Sequence, residues 1–178
     1  MTQRRRATVV GLLASLLFGL GTAFAGEAAA DDEWVIWLVR HAEKVDESAD
    51  PPLDDAGRAR ALALATLLAD AGIDRILSSD YIRTLDTAAP LASRLGLETQ
   101  KYDSSDLPAL AARVGETPGR YLVVGHSNTT PALAELLGGD AGDPIAPDEY
   151  DRLYILTRRG GKTTTIVLRY GGAVSVTM

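Results

Sequence analysis

Trp34 to Val39 reads Trp-Val-Ile-Trp-Leu-Val, a near-continuous apolar run of residues that favour extended chain. A strand without polar alternation needs cover on both faces, which points to a central place in a parallel sheet. Tyr121 to Val124 has the same character. Each run is closed by a histidine, His41 after Arg40 and His126 after Gly125, and the chain has no other. Open parallel sheets hold ligands beyond the carboxyl ends of their strands. Two imidazoles and a guanidinium therefore fall where a ligand belongs, and the pairing suggests chemistry on an anion.

Between these runs the periodicity switches to helical. Leu53-Asp54-Asp55 opens a helix running to about Asp70, with Asp54 as N-cap, Ala61, Leu64 and Leu68 at helical spacing, and Gly72 after its end. Gly57 in its first turn costs helix stability and so points to a close backbone approach. Ile73 to Leu77 reads as a strand, Ser78-Ser79-Asp80 as turn and cap, and Tyr81 to Leu95 as a helix that Pro90 should end or kink near Ala89. Leu97 to Tyr102 is a third strand and Leu107 to Val114 a short helix. Thr130-Pro131 starts another, with threonine as cap and proline at the first helical position. Arg152 to Thr157 and Thr163 to Tyr170, around Gly160-Gly161, form an antiparallel hairpin. The expected fold is a three-layer α/β/α sandwich with a mainly parallel sheet and a C-terminal antiparallel hairpin. All loops leaving its parallel strands exit on one edge, bringing together Arg40/His41, Ser79 to Arg83, Tyr102 to Asp106, and His126.

Residues 1–25 are read as a signal peptide. Arg4 to Arg6 form a basic start, Ala7 to Leu20 carry no charge, and Ala23-Phe24-Ala25 is a cleavage pattern, with Ala28-Ala29-Ala30 a second. The apolar stretch is short for a membrane span, so no span is expected after cleavage. The destination is then the periplasm or beyond. Residues 26–33 make an unstructured junction and 34–178 a single domain. The leader holds three arginines and no acid, so without it the net charge of −6 becomes −9. That surface argues against nucleic acid or anionic lipid as the partner. The chain has no cysteine, which removes disulfides, thiolate catalysis and thiolate metal sites.

Arg83 sits one turn inside its helix, where it can reach back over the helix start toward the strand ends. Arg40 and Arg83 can then clamp the non-bridging oxygens of a phosphoryl group. A neutral imidazole can attack phosphorus while the second donates a hydrogen bond to the developing charge, with no metal or cofactor needed.

Four ordered blocks resemble the histidine phosphatase superfamily, the phosphoglycerate mutase-like clan. They are Arg40-His41-Ala42-Glu43-Lys44, Leu53 to Ala61, Ser78 to Thr84 with Thr87-Ala88, and Val124-Gly125-His126-Ser127-Asn128-Thr129. The resemblance implies that His41 is the nucleophile that becomes phosphohistidine. It gives Arg40 and Arg83 the phosphoryl oxygens, and His126 stabilisation of the transferring group. Ala42 stands where the family usually has glycine. The family's proton donor, an acid after the third strand, has no clear counterpart. Asp103 is the nearest candidate, with Asp106 in the same region and Glu43 near by sequence.

Only 43 positions separate Arg83 from His126, shorter than in the glycolytic mutases, whose insertions build a lid. An open pocket favours hydrolysis over mutase chemistry, since a mutase must exclude water. Ser-Asn after the second histidine departs from the His-Asp pair of phytases. The expected substrate is a phosphorylated small molecule or a phosphoprotein; the sequence does not fix the oligomeric state. Two other readings remain: a non-catalytic module holding a phosphorylated ligand in the same pocket, and a phosphomutase. A histidine-metal site fits poorly, because two imidazoles without an H-x-x-x-H pattern make a thin donor set.

Overall fold

The computed structural model describes residues 33–171; the expected signal peptide (1–25), nearly all of the expected junction and residues 172–178 lie outside them. Strands β1 (Trp34–Arg40), β2 (Arg75–Ser79), β3 (Thr99–Tyr102) and β4 (Gly119–Gly125) alternate with helices α1 (Asp55–Leu67), α2 (Ile82–Leu95), α3 (Leu107–Gly115) and α4 (Thr129–Leu136). Strands β5 (Arg152–Arg159) and β6 (Lys162–Arg169) follow. The sheet order is β3-β2-β4-β1-β5-β6, with the first four strands parallel and the last two antiparallel. This is the expected sandwich and hairpin.

β1 is central, between β4 and β5, and its side chains divide by the period of two. Trp34, Ile36 and Leu38 join the core under α3 and α4, with Leu110, Val114 and Leu133. Trp37 and Val39 join the opposite core under α1 and α2, with Leu64, Ile76 and Leu91. Burial on both sides accounts for the unbroken apolar run, and it fixes the register that sets the site: Arg40 pairs with Gly125 across β1 and β4.

Asp54 caps α1, its carboxylate accepting from the Gly57 amide at 2.7 Å. A Cβ on Gly57 would lie 2.1 Å from the Glu43 carbonyl oxygen, so the close approach read from the sequence is present. Gly96 ends α2 in the left-handed region, φ 66°.

Several boundaries differ from expectation. α1 ends at Leu67 rather than near Asp70. The second strand begins at Arg75 and runs on through Ser78 and Ser79, which pair with Lys101 and Tyr102 of β3 and are fully buried. Parallel pairing on both flanks outweighs the turn preference of serine, and both hydroxyls find internal partners. The third strand starts only at Thr99. Pro90 neither ends nor interrupts α2. It leaves without a donor the carbonyl of Asp86, an exposed residue, where water can serve. α4 begins at Thr129, so Thr130 is inside the helix and not its cap. Thr129 instead accepts from the His126 amide at 2.9 Å.

Candidate active site

The sheet register brings the two histidines together through the backbone itself: the His41 amide donates to Gly125 O at 2.9 Å. Their imidazole centroids are 5.5 Å apart at an interplanar angle of 66°. Both line an open cavity of about 510 Å³. Arg83, Tyr81 and Lys44 share its wall with polar groups from three loops, among them Ser104, Ser127 and Asn128.

His41 is buried, and its Nδ1 lies 2.8 Å from Ala42 O. A carbonyl only accepts, so Nδ1 carries the proton and Nε2 keeps its lone pair. Burial pushes the His41 pKa down to about 3, with Arg40, His126 and Arg83 adding to the shift against the Ala42 hydrogen bond. His126 is pushed down to about 4, first by burial and then by Arg83 and Arg40. The four groups thus act on one another, and both rings are neutral at pH 7. Ala42 N donates to Thr87 Oγ1 at 2.9 Å, tying the nucleophile loop to α2.

His126 rests on buried hydroxyls. Its Nε2 is 2.9 Å from Ser79 Oγ, which is 3.1 Å from Thr84 Oγ1. Ser79 gives its one proton to Thr84 Oγ1, whose own proton goes to Ser79 O or Tyr81 O, so Ser79 Oγ accepts from His126 Nε2–H. Tyr102 donates to Val124 O at 3.1 Å beside this network; burial holds its phenol up at about 12. Tyr81 packs edge-on to His126 at 5.0 Å and lies under the Arg83 guanidinium at 4.4 Å. Arg83 is further held by Ala49 O at 3.3 Å and Asp50 at 3.5 Å.

Arg40 departs from the expected simple clamp. It is buried and is not on the cavity wall. Its Nη1 donates to Ala146 O and Glu149 O, each at 2.9 Å, and its guanidinium stacks 4.0 Å above Tyr150. Its Nε is buried without a partner.

The acids named from the sequence are placed elsewhere. Asp103 is exposed and does not line the cavity; its Oδ1 accepts from the Ser105 amide at 2.8 Å and hydroxyl at 2.7 Å, which hold its pKa down. Such a carboxylate is poorly suited to giving up a proton. Asp106 caps α3 through the Ala109 amide, and Glu43 forms a paired contact with Arg60, Nη2 to Oε1 at 2.6 Å. Among the described residues the carboxylate on the cavity wall is Glu47, ion-paired with Lys44. Sequence reasoning left out Glu47 and gave no individual role to Lys44, Tyr81 or Ser79, although all three lie in stretches it named. Each lies within a few positions of a named residue, and that proximity was the available signal. Tyr150 carried no signal, being over a hundred positions from Arg40 in an irregular segment. No cluster of three or more His, Asp or Glu side chains suited to a metal occurs among the described residues.

The sequence model of the histidine phosphatase superfamily (branch 1) matches residues 36–104, a stretch holding Arg40, His41 and Arg83. No curated protein sequence matches the chain. Solved structures with the same fold include a candidate alpha-ribazole-5'-P phosphatase from Escherichia coli, at TM-score 0.64 and 20% identity over 76% of this chain and 96% of that one. The protein histidine phosphatase SixA, solved with tungstate, has TM-score 0.61 and 21% identity over 76% and 96%. Phosphoglycerate mutase from Bacillus anthracis has TM-score 0.58 and 15% identity over 79% and 94%. At such identities the likeness is one of fold. The chain is thus similar over residues 36–104 to the histidine phosphatase superfamily, and it shares the fold of these structures.

Proposed function

We propose that the chain is a metal-independent phosphatase that hydrolyses a phosphomonoester, on a small molecule or a protein, through a phosphohistidine at His41. The observation that carries this reading is the tautomer of His41. Its Nδ1–H is committed to Ala42 O, which leaves Nε2 as a neutral nucleophile in a cavity shared with His126 and Arg83.

In the first step Nε2 attacks phosphorus, a P–N bond forms, and the ester P–O bond breaks, the electron pair leaving on the alcohol oxygen. That oxygen takes a proton from Glu47 or from water, since among the described residues no other carboxyl group lines the cavity. Water then attacks the phosphoramidate, the P–N bond breaks, and inorganic phosphate leaves with His41 restored. Arg83 on the cavity wall and the positive charge of Arg40 behind it stabilise negative charge on the transferring group, with His126 beside them. The openness of the cavity favours transfer to water over retention for mutase turnover.

Release of phosphate from 4-nitrophenyl phosphate, abolished in His41→Ala, tests the proposal. Rapid quenching into alkaline detergent, where a phosphoramidate survives, should trap label on His41. Undiminished release by His41→Ala would overturn it. The exposed, ion-paired state of Glu47 favours one second reading, a module that binds phosphorylated ligands without turnover. Ligand binding with no phosphate release from any monoester would establish that instead. We also propose that residues 1–25 direct export to the periplasm or beyond; N-terminal sequencing of the exported protein should find a start after Ala25 or Ala30.

A further inference from the structure

Arg40 is held by chain more than a hundred positions away. Its Nη1 is shared between Ala146 O and Glu149 O, and the guanidinium carbon lies over the Tyr150 ring, 4.0 Å from its centroid. The same ring is 5.9 Å from the His41 imidazole, tilted by 54°. Tyr150 therefore touches both side chains that end β1.

The segment carrying these contacts is itself fastened. Glu149 N closes a turn onto Ala146 O at 3.0 Å, and Glu149 Oε2 accepts from the Ala146 amide at 3.3 Å. Arg152 gives Nε to Glu149 Oε1 at 2.5 Å and Nη2 to Oε2 at 2.8 Å. Arg169 adds bonds to Glu149 at 2.5 Å and Asp151 at 2.7 Å. Two arginines from β5 and β6 thus pin the turn, and the turn pins Arg40.

We propose that Tyr150 is a positioning residue for phosphoryl transfer, its ring and the carbonyls of Ala146 and Glu149 fixing Arg40 beside His41 before substrate binds. The inference rests on the function proposed above. An arginine has many rotamers, and immobilising it in the free protein removes an ordering cost from the binding step. With Nη1 spent on two carbonyls and Nε buried, Arg40 acts through its charge, held at a fixed place behind His41.

The test uses the full chain with 4-nitrophenyl phosphate. Tyr150→Leu removes the ring and should lower kcat/KM by about tenfold, the scale of a desolvated cation–π contact. Tyr150→Phe keeps the ring and should recover most of that loss. In an Arg40→Ala background Tyr150→Leu should cost nothing further. An equal loss in that background, or none in the wild-type background, overturns the inference. Tyr150→Met replaces Tyr150→Leu if the latter does not fold. If the wild-type chain hydrolyses no monoester, the proposed function fails and calorimetric titration with inorganic phosphate decides for Tyr150. Weaker phosphate binding on Tyr150→Leu, only when Arg40 is present, keeps it; unchanged binding, or a wild-type chain that binds no phosphate, overturns it.

Discussion

The two imidazoles show how environment sets the state of a residue. Burial and flanking guanidiniums hold both well below the ordinary histidine value of 6.5, at about 3 for His41 and about 4 for His126. The chain has two histidines, so NMR titration followed at the ring Hε1 protons gives two signals. Neither is expected to show a midpoint above pH 5. The unfolded chain binds these protons near pH 6.5 and the folded one only far below. Stability from the neutral rings is therefore complete above about 6.5 and lost as pH falls toward 3 to 4. Urea unfolding of the wild type should weaken over that window, and His126→Asn should flatten the slope. That His41, Arg83 and His126 meet at one cavity was legible because each sits at a strand end or helix start, where short motifs keep their meaning; that Arg40 stands behind the wall was not. The proton donor was not: Asp103 has the right sequence position, but Ser105 captures its carboxylate.

At the scale of elements, tight approaches decide what can change. Gly57→Ala would drive a methyl group into the Glu43 carbonyl, displacing the nucleophile loop or tilting α1. A cost of about 1–3 kcal/mol is expected, seen as a fall of several degrees in Tm. A Cβ on Gly125 would meet Thr129 Oγ1 at 2.8 Å and Tyr102 OH at 3.0 Å, the hydroxyls around the base of His126. Gly125→Ala should reduce kcat for 4-nitrophenyl phosphate more than it lowers Tm. Pro90→Ala should do the reverse, raising stability by about 1 kcal/mol through the restored hydrogen bond to Asp86 O, with activity unchanged. Element types and order were readable from the sequence because the apolar periods are clean. Boundaries were less so, since pairing with neighbouring strands carried Ser78 and Ser79 into β2 and helix packing tolerated Pro90.

For the whole molecule, the arrangement follows from chain topology. Four parallel strands deliver their carboxyl ends to one edge, and the right partners meet because β1 and β4 are neighbours in register. The proposed chemistry calls on guanidinium, imidazole and carboxyl groups and water and on no metal, so incubation with a strong chelator should leave phosphate release intact. Loss of activity restored by a divalent cation would count against it. Topology also explains why the brace on Arg40 escaped the sequence reading: the antiparallel return of β5 starts at the site edge, and Tyr150 lies just before it.

That same return sends the Gly160-Gly161 turn, both glycines at positive φ, to the opposite end of the sheet. Trp34 pairs with Arg158 there, while Arg40 ends the strand roughly 20 Å away at about 3.3 Å per residue. The hairpin tip is thus a graft point. A fluorophore, an affinity tag or a surface linker spliced between the two glycines would leave the cavity mouth clear.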